Sequence, residues 1–149
     1  MAVKFRNIDA EPVDPVETWG FEGLLAAVDR GSLAEWRRII AAVRADPYGD
    51  VAETLAEVLE LAQDPGVVAA MRLAVEHARE DSLERDRRIV AARMSELVEK
   101  SRLDQGTFAR RIGTSRTRLN TYLSGKVTPS AAVLVRAERL AASASSISR

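Results

Sequence analysis

Residues 104–126 read DQGTFARRIGTSRTRLNTYLSGK, five arginine and lysine side chains against one acid, in a chain of 149 residues whose formal net charge is zero. Leu103, Phe108, Ala109 and Ile112 place apolar side chains on one face of a short helix that Asp104 caps. Gly113 lets the chain turn with no side chain in the way. A second short helix starts at its cap, Ser115, buries Leu119, Tyr122 and in part Leu123, and stops at Ser124 and Gly125. Small Ala109 falls where two such helices cross most closely, since a larger side chain would hold the second helix away. The stretch predicts two short helices at a steep angle to one another.

The same reading extends to the rest of the chain. Aromatic content is 5% and hydrophobic content 46%, with Ala, Leu, Val, Glu and Arg dominant. That mixture favours helices and lacks the β-branched and aromatic runs of strands, so the expected class is all-α. Residues 1–17, with two prolines and no sustained period, read as an extended arm. Phe21, Leu24, Leu25 and Val28 fall at helical spacing before Gly31, and Ser32 with Glu35 forms a capping box for the next helix, which DPYGD ends. Asp50 is read as the cap of a third helix, and Asp64 followed by Pro65 opens a fourth. No glycine or proline occurs between Gly66 and Gly106, which predicts a long helix with a break near EDSLE, where Asp81 and Glu84 would make a second box. The expected organisation is an N-terminal helical domain joined by a long helix to a C-terminal helix-turn-helix bundle. Residues 18–80 form an acidic dimerisation or partner-binding domain, 81–101 a helical linker and first helix of the C-terminal module, 102–142 the module itself, and 143–149 a flexible tail.

Charge divides along the same line. Residues 1–86 hold 9 basic and 18 acidic side chains, and residues 87–149 hold 13 basic and 4 acidic. A basic half of this density suggests a polyanionic partner; the plainer alternative is a solvated charged face. The chain contains no cysteine, which removes disulfides, a thiolate nucleophile and cysteine-ligated zinc, and a reducing, cytoplasmic setting is expected. MAVKFRNIDAEPVDP has no apolar core of signal-peptide length and no long apolar run occurs later in the chain, so no membrane association is expected.

From Leu103 to Ser130 the segment LDQGTFARRIGTSRTRLNTYLSGKVTPS resembles the helix-turn-helix of the Cro and phage-repressor type, the XRE family. In that family Leu-x-Gln-x-x-Leu/Phe-Ala opens the first helix, a hydrophobic residue with Gly-x-Ser leads into the recognition helix, and Ser/Asn-Gly-Lys-x-x-Pro-Ser closes the unit. The counterparts here are Leu103, Gln105, Phe108 and Ala109, then Ile112, Gly113 and Ser115, then Ser124, Gly125, Lys126, Pro129 and Ser130. With IVAARMSELVEK before it and SAAVLVRAERLA after it as flanking helices, the likeness covers about a third of the chain. Thr114 departs from the apolar residue usual there, and Leu123 from the Glu that many members carry.

The resemblance implies binding of double-stranded DNA, with the second helix in the major groove. The residues fit that independently. Arg116, Thr117, Asn120 and Thr121 fall on the face opposite Leu119 and Tyr122 and are the base-reading candidates. Arg suits a bidentate contact to guanine, Asn to adenine, and a Thr methyl to thymine. Gln105, Ser124 and Lys126 match family positions that hold phosphates, and Ser115 and Thr128 join that set. Arg110, Arg111 and Arg118 add sequence-independent attraction. The alternative for all these arginines is an ordinary wet surface.

No enzyme is expected. His77 has no second histidine or cysteine partner, Glu53, Glu57 and Glu60 read as a solvated stripe, and Trp19, Phe21 and Trp36 read as core. Neither a Gly-rich phosphate loop nor a Ser/His/Asp set is present, and no cofactor or metal is expected. The leading expectation is a transcriptional regulator, a repressor, binding an inverted repeat as a homodimer. The second is an antitoxin-type interaction protein whose residues 18–80 hold a toxin or other partner while the C-terminal module autoregulates the operon. A third is a helix-turn-helix kept only as a protein-binding module, against which Gln105, Arg116 and Lys126 speak.

Overall fold

The computed structural model describes Phe5 and residues 10–147. Every regular element among them is helical: one 3₁₀ turn, Val16–Thr18, and seven α-helices. These are α1 (Gly20–Arg30), α2 (Leu33–Ala45), α3 (Asp50–Leu61), α4 (Pro65–Ser101), α5 (Gln105–Arg111), α6 (Arg116–Leu123) and α7 (Ala131–Ser146). The chain divides into two units between Ser82 and Leu83.

In the first unit α1, α2, α3 and the start of α4 enclose Trp19, Leu24, Val28, Ile39, Val43, Leu55, Val58 and Met71, all buried. Buried indole N–H groups need acceptors, and both have one: Trp19 Nε1 donates to the Asp14 carbonyl at 3.0 Å and Trp36 Nε1 to the Ala27 carbonyl at 2.8 Å. Trp36 and Phe21 are only half-buried. The Ser32 N–H and hydroxyl both donate to the Glu35 carboxylate, at 2.8 and 2.5 Å, and these bonds hold the Glu35 pKa below its ordinary value. At α4 the Asp64 Oδ1 accepts from the Gly66 and Val67 N–H groups at 2.9 and 3.2 Å, with Pro65 as the first helical residue.

Four sequence-based expectations change here. The arm 1–17 is not extended where it is described: residues 10–17 turn and enter the 3₁₀ element, burying Ala10 and Val16, while residues 1–4 and 6–9 lie outside the described residues. The cause is Arg38, whose guanidinium sits 5.0 Å from the Trp19 ring and donates to the carbonyls of Pro12, Val13 and Asp14. Asp50 is the first residue of α3 and Gly49 is its N-cap. A Cβ on Gly49 would stand 2.2 Å from the Asp46 carboxylate, so a larger residue there would force the Asp46 side chain to move. EDSLE does not interrupt α4, since no residue between Gly66 and Ser101 is a helix breaker and local capping competes poorly with an established ladder. Residues 81–101 are accordingly a continuation of one helix. Finally, α7 continues through Ser146, with the Ser143, Ser145 and Ser146 hydroxyls donating to carbonyls one turn back; residues 148–149 lie outside the described residues.

In the second unit the end of α4 packs with α5, α6 and α7 around Met94, Leu97, Phe108, Ala109, Ile112, Leu119, Tyr122, Val133 and Ala137. Ser101, the buried polar residue of this core, is satisfied: its hydroxyl donates to the Val98 carbonyl at 2.7 Å and accepts from the Leu103 N–H at 3.2 Å. Among the described residues no helix is long and apolar enough to cross a membrane.

Candidate nucleic-acid interface

The candidate site is built on α5 and α6, and each start is capped by the side chain immediately before it. Asp104 accepts from the Thr107 N–H at 2.9 Å and from its hydroxyl at 2.7 Å. Those two bonds stabilise the carboxylate and hold its pKa below the ordinary value. Ser115 Oγ accepts from the Arg118 N–H at 3.1 Å. Between the helices the Gly113 N–H donates to the Arg110 carbonyl and the Thr114 N–H to the Ala109 carbonyl, at 3.1 and 2.9 Å. This crossed pair of bonds needs a left-handed residue at Gly113, whose φ is 79°. A side chain there would also crowd the Arg136 guanidinium from α7, which lies 3.1 Å from where the Cβ would be and would have to give way.

Packing of α5 on α6 then fixes which way α6 faces. Leu119 and Tyr122 are buried, and Leu123 is half-buried. Arg116, Thr117 and Asn120 are exposed together on the opposite face. Thr121 shares that face but is half-buried, and its hydroxyl donates to the Arg118 carbonyl at 2.6 Å, leaving its methyl as the group free to touch a base. Arg118 is turned along the helix: its Nε donates to the Tyr122 hydroxyl at 3.1 Å.

The phosphate candidates surround this face. Gln105, half-buried, is the first residue of α5. Arg110, Arg111, Ser115, Ser124, Lys126 and Thr128 are exposed. Arg110 reaches the Thr107 hydroxyl at 3.3 Å, and the Ser124 hydroxyl donates to the Thr121 carbonyl at 3.2 Å. Gly125, with φ 78°, carries the chain out of α6 into the Lys126 turn, where the Val127 N–H returns to the Thr121 carbonyl at 3.2 Å. Among the described residues none of Arg110, Arg111, Arg116, Arg118 or Lys126 is in an ion pair with a carboxylate. The surface therefore offers cations free of direct ion pairs, with Asp104 the acid acting on Arg110 from a distance, together with amide and hydroxyl groups, a set able to accept anions and to bond base edges.

Sequence reasoning did not assign Arg87 and Arg136 to this region. The Arg136 guanidinium lies against Gly113 in the α5–α6 turn, and the Arg87 backbone carbonyl lies beside Gly125 in the turn after α6; the helical phase 87, 91, 94 was the signal available for Arg87. Elsewhere, His77 and the Glu53, Glu57, Glu60 stripe are exposed, and among the described residues no group of three His, Cys, Asp or Glu side chains could hold a metal ion. No protein-family model, no curated protein and no solved structure matches this chain.

Proposed function

We propose that this chain is a sequence-specific double-stranded DNA-binding transcriptional regulator, a repressor, that places α6 in the major groove and acts as a dimer on an inverted repeat. The observation that carries the reading is the exposed set Arg116, Thr117 and Asn120 on a capped helix, near cations that form no ion pair with a carboxylate among the described residues. Guanidinium and carboxamide groups on one helix face match the donor and acceptor pattern of guanine and adenine edges, and the surrounding cations match the phosphates beside them. Two copies are needed because one module of this size touches too few bases for useful specificity.

Selection of bound sites from random duplex DNA tests this directly. It should return a defined sequence, arranged as two half-sites about one helical turn apart. Arg116→Ala should weaken binding to that sequence by about 1–3 kcal/mol and relax preference at one base pair. Equal weakening on random duplexes would make Arg116 a phosphate contact, and recovery of no preferred sequence would overturn the reading.

The antitoxin-type alternative draws support from the 18 acidic side chains of residues 1–86 and from the individually exposed Leu33, Leu61 and Leu73 of the first unit, side chains of the kinds that would meet a basic protein. A stable complex with the product of a neighbouring small reading frame would favour it.

A further inference from the structure

The turn that carries Ser124, Gly125 and Lys126 passes close to α4. A Cβ built on Gly125 would stand 3.8 Å from the Ala91 Cβ and 3.8 Å from the Arg87 carbonyl oxygen. Arg87, Ala91 and Met94 are four and three residues apart and so share one face of α4. Met94 and Ala91 are buried and Arg87 is exposed, so this face runs from the core of the second unit out to solvent beside the turn. Helical side chains tilt toward the helix N-terminus, which leads the Arg87 stem outward and away from the core.

The charges nearby differ from one another in a useful way. Arg88 is held by Glu84 at 2.5 Å, and Arg93 by Glu96 at 3.0 Å and Glu138 at 3.6 Å. Arg87, adjacent to Arg88 in sequence, has no carboxylate partner among the described residues. Packing thus sets the backbone of Arg87 beside the turn that carries Lys126, and the Arg87 side chain, exposed and in no ion pair among the described residues, starts from there with no buried charge to desolvate.

We infer that Arg87 is a further phosphate-contact residue, which with Lys126 forms a two-cation clamp on the DNA backbone beside the groove entered by α6. Guanidinium binds phosphate through paired N–H donors and the lysine ammonium as a point charge, so the two complement each other on adjacent phosphate oxygens. The inference rests on the DNA-binding reading above, and fixes how the start of the second unit is held to the duplex.

The test uses the full chain and two duplexes, the selected site and a random sequence, titrated by fluorescence anisotropy over a range of salt. Arg87→Gln should weaken binding to both duplexes equally, by roughly three- to tenfold near 0.1 M salt, and make the plot of log affinity against log salt shallower by about one unit. Arg87→Lys should restore most of the slope. Arg85→Gln is the control, since it removes the same charge two residues away, on the opposite face of α4, and should leave the slope unchanged. An unchanged slope in Arg87→Gln, or an equal change in Arg85→Gln, overturns the clamp while leaving the DNA-binding reading intact. Failure of the unaltered chain to bind either duplex removes both.

Discussion

Arg102 succeeds the last residue of α4 with a φ of 57°, the one positive φ among the described non-glycine residues. Its N–H donates to the Glu99 carbonyl at 3.1 Å, so it occupies the left-handed position that closes a helix, where glycine is usual. A side chain there costs about 1–2 kcal/mol, against a glycine entropy penalty of about 0.5–1 kcal/mol in the unfolded chain. Arg102→Gly should therefore raise stability by about 0–1.5 kcal/mol, read as a higher urea midpoint with an unchanged slope. A lower midpoint would show that the Arg102 side chain makes contacts worth more than the strain. The position was hidden in the sequence because nothing in an arginine announces a left-handed backbone, whereas Gly113 and Gly125 advertise theirs. Arg102 takes its conformation from its neighbours, since Leu103 and Asp104 must turn at once into α5.

At the scale of the helix, capping was the most legible feature. Ser32 with Glu35, Asp64, Asp104 and Ser115 all stand where a short polar side chain precedes an apolar period, and each stabilises the first turn; Ser130, not read as a cap from the sequence, does the same for α7. Asp50 misled for a physical reason: acids are favoured in the first helical turn as well as at the cap, so the residue type alone leaves the boundary one position uncertain. Capping of α5 carries a pH signature. The folded pKa of Asp104 lies below its unfolded value, chiefly through the Thr107 hydroxyl and then the Thr107 N–H. A depressed pKa gives stability that is complete above the unfolded pKa, roughly 4, and is lost as pH falls through the folded one. Asp104→Asn keeps a capping oxygen without the charge. Its melting temperature should lie below that of the unaltered chain at pH 7, with the gap closing as pH falls through and below the usual carboxylate range. A gap that stays constant with pH would remove the charged cap from the stability of α5.

For the whole molecule, the sequence carried its division into two parts in a form independent of helices. The balance of charge reverses at residue 87, close to the boundary that packing draws between Ser82 and Leu83. The exposed face of α6 was legible as well, because two buried positions on a short helix leave little choice for the rest. The clamp formed by Arg87 was not, as it depends on contact between residues far apart in sequence. Helix α4 runs unbroken from Pro65 to Ser101. Its Met71 and Ala78 are buried in one core and Met94 and Leu97 in the other, Ala91 is buried beside the latter pair in sequence, and residues 83–89 are all exposed. Those middle turns keep their backbone hydrogen bonds with little tertiary packing behind them beyond the approach of the Gly125 turn to the Arg87 carbonyl, and isolated helical turns are only marginally stable in water. Amide hydrogen exchange should therefore be at least about tenfold faster over 83–89 than over 71–78 or 91–97, and limited trypsin should cut first at Arg85, Arg87 or Arg88. Uniform protection along α4 would contradict this. Within α4 the backbone then opens most readily over these seven residues, so Arg87, which carries one half of the phosphate clamp, would gain order with them when a duplex closes on it.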